Sequence, residues 1–571
     1  MNKEYEYSFG YKVTLSCCLI LLLTICLNHL LVLLSFIIGH YFLPWACPLS
    51  IILAVIVLFI LGKKYEIDKR TVKVSVVLSF FLIVLSLLVS ALFWDLSWDG
   101  QWYHQSAIYN LAEGWNPFSE PIRKFNRSND LSIIHFPKGS WYMAASIYST
   151  FGFIEAGKAL NFIILIVASL FFYIVSRKFR LSKRNSFIVS SLIILNPVVW
   201  SEIVTYLVDG LLFLYLSIYI AALFSVIRKY DFLHLLIGIM AIVGLLNVKF
   251  TGIVFLVVFS GFGFIYVLLK NKALIFKYIG FHTLAIALGL IVFGFNPYVS
   301  NLQKRGNPLY PILGSKGYPS QLEQGKDGNE KHETPLNMKG KSLPFRFFYA
   351  HFGKPGNAPY DNQDNAELAI PFISSISSWR AYRFHETRIA GFGPFFSGIL
   401  ILSILYLFYL LRHNKSKRLL VLIAYSAIIS SLLISKHFWW ARFAPQIWLI
   451  PIVPMFIGLY SFKKKRIFNY GLISLTVANA LIVLFIHMHW EALATLKVKE
   501  ELSLIKKEKK SIQISPRWFK RSIKERLLIY GIDHDIISYK EMKNIEDKKY
   551  FSNVPMGYPG AIPYIETDKT E

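Results

Sequence analysis

Trp94-Asp95-Leu96-Ser97-Trp98-Asp99-Gly100-Gln101-Trp102-Tyr103-His104 follows directly on the apolar run Val74 to Phe93. A run of about 20 such residues is what crosses a hydrocarbon layer, so two carboxylates and an imidazole fall where a membrane helix must end. Ionisable groups at that depth are costly unless solvated or paired, and a group of them marks a candidate site.

Outward from this stretch, about thirteen comparable runs can be drawn, among them Ser186 to Val199, Leu207 to Val226, Phe232 to Leu246 and, last, Tyr470 to His487. The composition agrees. Of 571 residues, 55% are hydrophobic and only 17% charged, with a mean hydropathy of +0.47, against about 25% charged in soluble domains. The chain reads as an all-α polytopic membrane protein. A net charge of +27 would suggest nucleic acid for a soluble chain. Here the cations cluster between alternate runs: Lys63, Lys64, Lys69, Arg70 and Lys73; Arg177, Lys178, Arg180, Lys183 and Arg184; Lys270, Lys272 and Lys277; Lys463, Lys464, Lys465 and Arg466. Such clusters mark the cytoplasmic side, so no nucleic acid is expected as a partner.

That orientation divides the chain into N-terminal membrane helices (1–93), an external loop (94–158), central membrane helices (159–297), a long external loop (298–393), C-terminal membrane helices (394–489) and an external polar tail (490–571). The tail is Lys- and Glu-rich and ends with Pro555, Pro559 and Pro563; it predicts a small, partly helical domain of accessory role. Cys17, Cys18, Cys26 and Cys47 all lie in or beside the first two runs, so no disulfide framework is implied.

Asp99 is the preferred general base, able to take a proton from a hydroxyl as it attacks an activated carbon; capping a helix from Gln101 to Ala112 is its plain structural alternative. Gly100 would relax the backbone beside it. Asp95 and His104 are candidates to orient Asp99, bind substrate or ligate a metal. The aromatics Trp94, Trp98, Trp102, Tyr103, Trp115, Trp141 and Tyr142 read individually as an interfacial belt, and together they suit stacking on sugar rings.

Two cations violate the topology rule. Lys249, in Asn247-Val248-Lys249-Phe250-Thr251-Gly252, and Arg442, in Trp439-Trp440-Ala441-Arg442-Phe443-Ala444-Pro445, fall in short external turns. A phosphate-bearing ligand from the membrane would account for them; snorkelling to headgroups is the alternative, and an equal one for Lys436. Asn196-Pro197 is followed by Glu202, Tyr206 and Asp209-Gly210. Helical spacing puts Glu202, Tyr206 and Asp209 on one face if a helix runs from Glu202. Asp209 then either pairs with Lys249 or binds a substrate hydroxyl or metal.

These features together resemble the GT-C superfamily of polytopic glycosyltransferases, particularly bacterial enzymes that use polyprenyl-phosphate sugars. The resemblance rests on Asp99-x-x-x-Tyr103-His104, His135-Phe136-Pro137-Lys138-Gly139, Tyr206-x-x-Asp209-Gly210, the Lys249 turn, and Asn296-Pro297-Tyr298 leading to Gly306-Asn307-Pro308-Leu309-Tyr310-Pro311. It implies a helical membrane core with external amphipathic helices in the first loop, Asp99 as base, Lys249 and Arg442 on the donor phosphate, and Tyr103, Lys138, Glu202 and Asp209 as further substrate-binding candidates. The acceptor would be an envelope glycan or lipid, on the periplasmic side of a bacterial inner membrane. Two features depart from the superfamily pattern. The first large loop follows the third span rather than the first, and it contains no Asp-x-Asp or Glu-x-Asp. No cofactor is therefore expected to be required, with Mg or Mn as the open alternative. An O-antigen-type polymerase, which would transfer a whole oligosaccharide, is the alternative function. A flippase is a more distant one, since it would place its charges on broken helices near mid-membrane.

Overall fold

The computed structural model describes residues 8–39, 43–119, 130–228, 231–320, 332–359, 364–461, 466–508, 511–516, 519–551 and 562–567. Lys463 to Lys465, Pro555 and Pro559 lie outside these residues. Ten described helices are long and apolar enough to cross a membrane, and Phe232–Val248 and Pro445–Tyr460 are shorter apolar helices. The expected run Ser186 to Val199 is interrupted. A helix ends at Ile194, and a separate short one, Pro197–Glu202, starts where Asn196 caps it through Val198 N–H at 3.0 Å. Proline has no N–H to continue the helical ladder, but it fits the first turn of a new helix.

Hydrophobicity on every side of these helices is used in two ways. Asp209–Arg228 has 83% of its apolar window buried and forms the centre with Phe9–Ile38 and the helix entering at Ile154, whereas Lys69–Leu92 has 28%. The outer helices leave Val77, Phe80, Phe81 and Leu88 exposed, the composition of a surface facing lipid. Between apolar helices in lipid, close packing rather than water exclusion supplies the attraction.

The last membrane helix does not end at His487. Arg466–Lys507 continues for 42 residues, about 63 Å at 1.5 Å per residue, roughly twice a hydrocarbon layer. It delivers the chain to a domain that is partly helical, as expected, but is built on a sheet. Strands β1 (Ser511–Ile514), β2 (His534–Ile536), β3 (Lys549–Tyr550) and β4 (Pro563–Thr567) form a sheet in the order β2-β1-β4-β3. Strand β1 runs parallel to β2 and antiparallel to β4. The parallel pair is joined through the helix Lys520–Tyr530, because a parallel connection needs a crossover.

This domain packs on the first loop. Ile512 and Ile514 of β1 share one cluster with Phe519, Ile523 and Leu527 and with Val498, Leu502 and Ile505 of the long helix. Leu96 of the first loop is fully buried in that cluster, and Trp94, Trp98 and Trp102 pack against it. Trp141 and Tyr142 are also buried, in a second cluster that joins the loop to the first two helices. These aromatics thus pack against protein. The four cysteines are unpaired.

Candidate functional site

The turn after Phe93 is built by Asp95. Its Oδ1 accepts from Ser97 N–H at 2.9 Å and Ser97 Oγ–H at 2.6 Å, and its Oδ2 accepts from Tyr206 N–H at 2.9 Å. This Asx-turn leaves Ser97 Oγ to accept from Gly100 N–H at 3.2 Å, so Ser97 rather than Asp99 caps the helix. A Cβ on Gly100 would overlap the Asp95 carboxylate; close approach, not backbone freedom, requires glycine there. Asp95 is fully buried, and burial raises its pKa against the pull of Lys158. Its hydrogen bonds give it a positioning role.

The Asp99 side chain makes no capping bond and points to Arg442, whose Nη2 donates to Asp99 Oδ2 at 2.5 Å. The same guanidinium donates from Nε to Asp209 Oδ2 at 2.9 Å and from Nη1 to Glu386 Oε1 at 2.7 Å. Lys249 Nζ reaches the other oxygen of Asp209 at 2.5 Å. Both cations lie over the Phe443 ring, at 5.4 and 5.0 Å from its centroid, where the π face adds attraction. The loop acid and two misplaced cations thus meet, held together by Asp209.

Burial opposes the Arg442 charge, yet Glu386, Asp99, Asp209 and Glu202 outweigh it and push its pKa further up. Glu202 lies behind the cluster. Its Oε2 accepts from Gly210 N–H at 2.7 Å, and burial, reinforced by Asp209, drives its carboxyl well above the ordinary range. The expected helical face through Glu202, Tyr206 and Asp209 does not form. Residues 203–208 are non-helical between Pro197–Glu202 and Asp209–Arg228, and the turn itself brings the two acids together. Tyr206 faces away and donates to the Ile154 carbonyl.

The site is graded. Side-chain exposure is 2% for Asp209 and 9% for Arg442, but 19% for Asp99, 18% for Glu386 and 27% for Lys249. The last three form the approachable rim. Glu386 escaped the sequence reading. Its only signal was the string His385-Glu386-Thr387-Arg388 ahead of a membrane run, within a loop where charge is ordinary. Its backbone carbonyl accepts from Trp440 Nε1–H at 3.3 Å, and burial, against Arg442, raises its pKa.

Tyr103 stacks tilted on His104 with centroids 4.2 Å apart. Burial, with Asp99 adding to it, raises the Tyr103 hydroxyl well above its ordinary pKa. His104 Nδ1 accepts from Trp141 Nε1–H at 2.7 Å, which places the neutral ring's proton on Nε2. Burial pushes its pKa down to about 3. His104 therefore offers a neutral N–H donor beside the acids rather than a second base. Lys138 has a different place: its ammonium donates to the Ile134 and Phe136 carbonyls at 2.7 and 2.9 Å and to Asn296 Oδ1 at 2.8 Å. Its three protons are used, and its role is to brace the loop. Gly139, next to it, is pressed on the Lys249 turn, since a Cβ there would lie 2.8 Å from Asn247 O.

Arg526 of the tail anchors the whole loop. It donates to the Asp95 carbonyl at 2.7 Å and to Gln101 Oε1 at 2.9 Å, and it lies 3.5 Å from Glu155. Glu155 Oε2 accepts from Asp95 N–H at 2.9 Å and from Lys158 at 2.6 Å. Among the described residues, one set of side chains is composed to hold a metal ion: His385, His487 and Glu491, all buried, with donor atoms within 4.8 Å of one another. Compared with family models, with curated proteins and with solved structures, the chain matches none.

Proposed function

We propose that this protein is a membrane glycosyltransferase that moves a sugar from a polyprenyl-phosphate donor to a glycan or lipid acceptor of the cell envelope. The observation that carries the reading is the meeting of Asp99, Lys249 and Arg442, from three remote segments, at one partly open cluster. Without a ligand, every nitrogen of Arg442 is taken by a carboxylate. A donor phosphate competes for the same planar fork. In binding Lys249 and Arg442 from the rim, it displaces Asp99 and frees that carboxylate as base.

The acceptor O–H then attacks the anomeric carbon as Asp99 takes its proton. The bond from that carbon to the phosphate oxygen breaks, and polyprenyl phosphate leaves with the electron pair, its growing charge held by the two cations. One displacement inverts the anomeric centre. Asp209 keeps both cations aimed, and His104 Nε2–H is available to a sugar oxygen. A bacterial inner membrane, with this face periplasmic, is the setting that suits such substrates.

The test is incubation of purified protein in lipid nanodiscs with a panel of polyprenyl-phosphate sugars, scoring polyprenyl phosphate release. Wild type should release it from at least one donor and Asp99→Asn should not. Equal release by both, or none from any donor, removes the proposal. Products extended by whole oligosaccharide blocks would replace it with polymerase activity.

A further inference from the structure

His385 stands at the end of the long loop 298–393, one residue before Glu386, while His487 and Glu491 lie one helical turn apart on Arg466–Lys507. An i, i+4 pair projects from one face of a helix, and that face meets the loop. His385 Nε2 and Glu491 Oε1 stand 2.9 Å apart as an ion pair. Beyond that contact, Glu491 Oε2 and His487 Nε2 have no hydrogen-bond partner, although all three residues are buried. Groups so removed from water are normally satisfied, and leaving them unsatisfied is costly. The His487 ring shows which atom is free to act: its Nδ1 lies 3.3 Å from the Tyr382 carbonyl. A ring N–H given to a carbonyl fixes the tautomer and leaves the lone pair of the other nitrogen for a ligand bond.

We propose that His385, His487 and Glu491 form a zinc site that fastens the long loop to the last membrane helix. Two imidazoles and a carboxylate make up a donor set that divalent zinc takes in four-coordinate geometry, with one position left for water. A cavity of about 10 Å³ lined by His385, Glu386 and Arg442 borders the group at His385, room for about one water. The site is distinct from the acid–cation cluster but shares its wall. By fixing His385, the ion fixes the neighbouring Glu386 against Arg442. An ion pair of His385 with Glu491 is the rival explanation, and it leaves His487 Nε2 and the second Glu491 oxygen unsatisfied.

Full-length protein, freed of any affinity tag and stripped with a chelator in detergent, is titrated with Co2+ and then Zn2+. The proposal expects one equivalent to bind, intense visible bands of four-coordinate cobalt, loss of those bands as zinc displaces it, and a higher thermal midpoint with zinc than without. A His487→Ala, Glu491→Gln double variant should lose the bands. Absence of cobalt bands in wild type, with no thermal response to zinc, overturns the proposal and leaves the ion pair. Because wild type alone decides this, the result stands even if the variant does not fold. It is also independent of whether any sugar donor is turned over.

Discussion

Arg442 and Asp99 are 343 residues apart in sequence and 2.5 Å apart in space. The arginine also holds Asp209 and Glu386, so one planar cation sets the relative positions of acids from the first loop, a membrane helix and the long loop.

Arg442→Lys should therefore fail as a replacement, because a single ammonium cannot present three divergent donors. Donor turnover should fall by about 10²–10³-fold, the usual effect of losing a charge-stabilising group. Removing the cation altogether, in Arg442→Ala, leaves Asp209 and its neighbours uncompensated and should cost about 3–5 kcal/mol of stability. Polyprenyl phosphate release and thermal unfolding in nanodiscs measure the two effects separately.

Asp99→Asn should separate chemistry from folding. The side chain is 19% exposed and caps nothing, so the thermal midpoint should stay near wild type while release falls by about 10²–10⁴-fold, the range for a lost general base. A matched loss of stability would assign Asp99 a structural task instead.

Arg526→Ala removes the tail's hold on the first loop. The Asp95 carbonyl and Gln101 lose a buried donor, which should cost about 1–3 kcal/mol. Hydrogen exchange should rise first in residues 94–104, ahead of the membrane helices.

Stability should also fall as pH drops below about 6.5, in part through His104. Its folded pKa is depressed to about 3 from 6.5, so between those values the unfolded ring binds a proton that the folded ring refuses. This penalty is absent above the unfolded pKa and grows as pH falls, with a slope of up to about 1.4 kcal/mol per pH unit for one histidine. Unfolding of His104→Asn compared with wild type across this window should show the shallower slope in the variant.

Much of the cluster was legible because its members were out of place. Lys249 and Arg442 broke the charge rule of the turns they occupy, and Asp99 and Asp209 stood beside apolar runs, so each was conspicuous one at a time. Glu386 was not, because an acid in a long polar loop violates nothing. The membrane helices could be read from length and hydropathy, yet Asn196-Pro197 broke one of them and replaced a helical face by a turn. The tail's grip on the loop was invisible for another reason. Trp94 N–H meets Thr495 Oγ across 401 residues, and no periodicity reports a contact of that span. Lys138 was read as substrate-binding because type and position were all that could be seen; the hydrogen bonds that occupy it exist only once the chain has folded.

The 42-residue helix Arg466–Lys507 carries no break between its membrane-embedded half and the sheet it supports. Any tilt of its upper end must travel as a lever stroke, shifting Trp94 and the loop above it together with His487 and Glu491 along its shaft. A force applied to the terminal domain, by a bound polymer or an antibody fragment, would thus be felt at Asp99 and Glu386 at once, through both of the Arg442 nitrogens they hold.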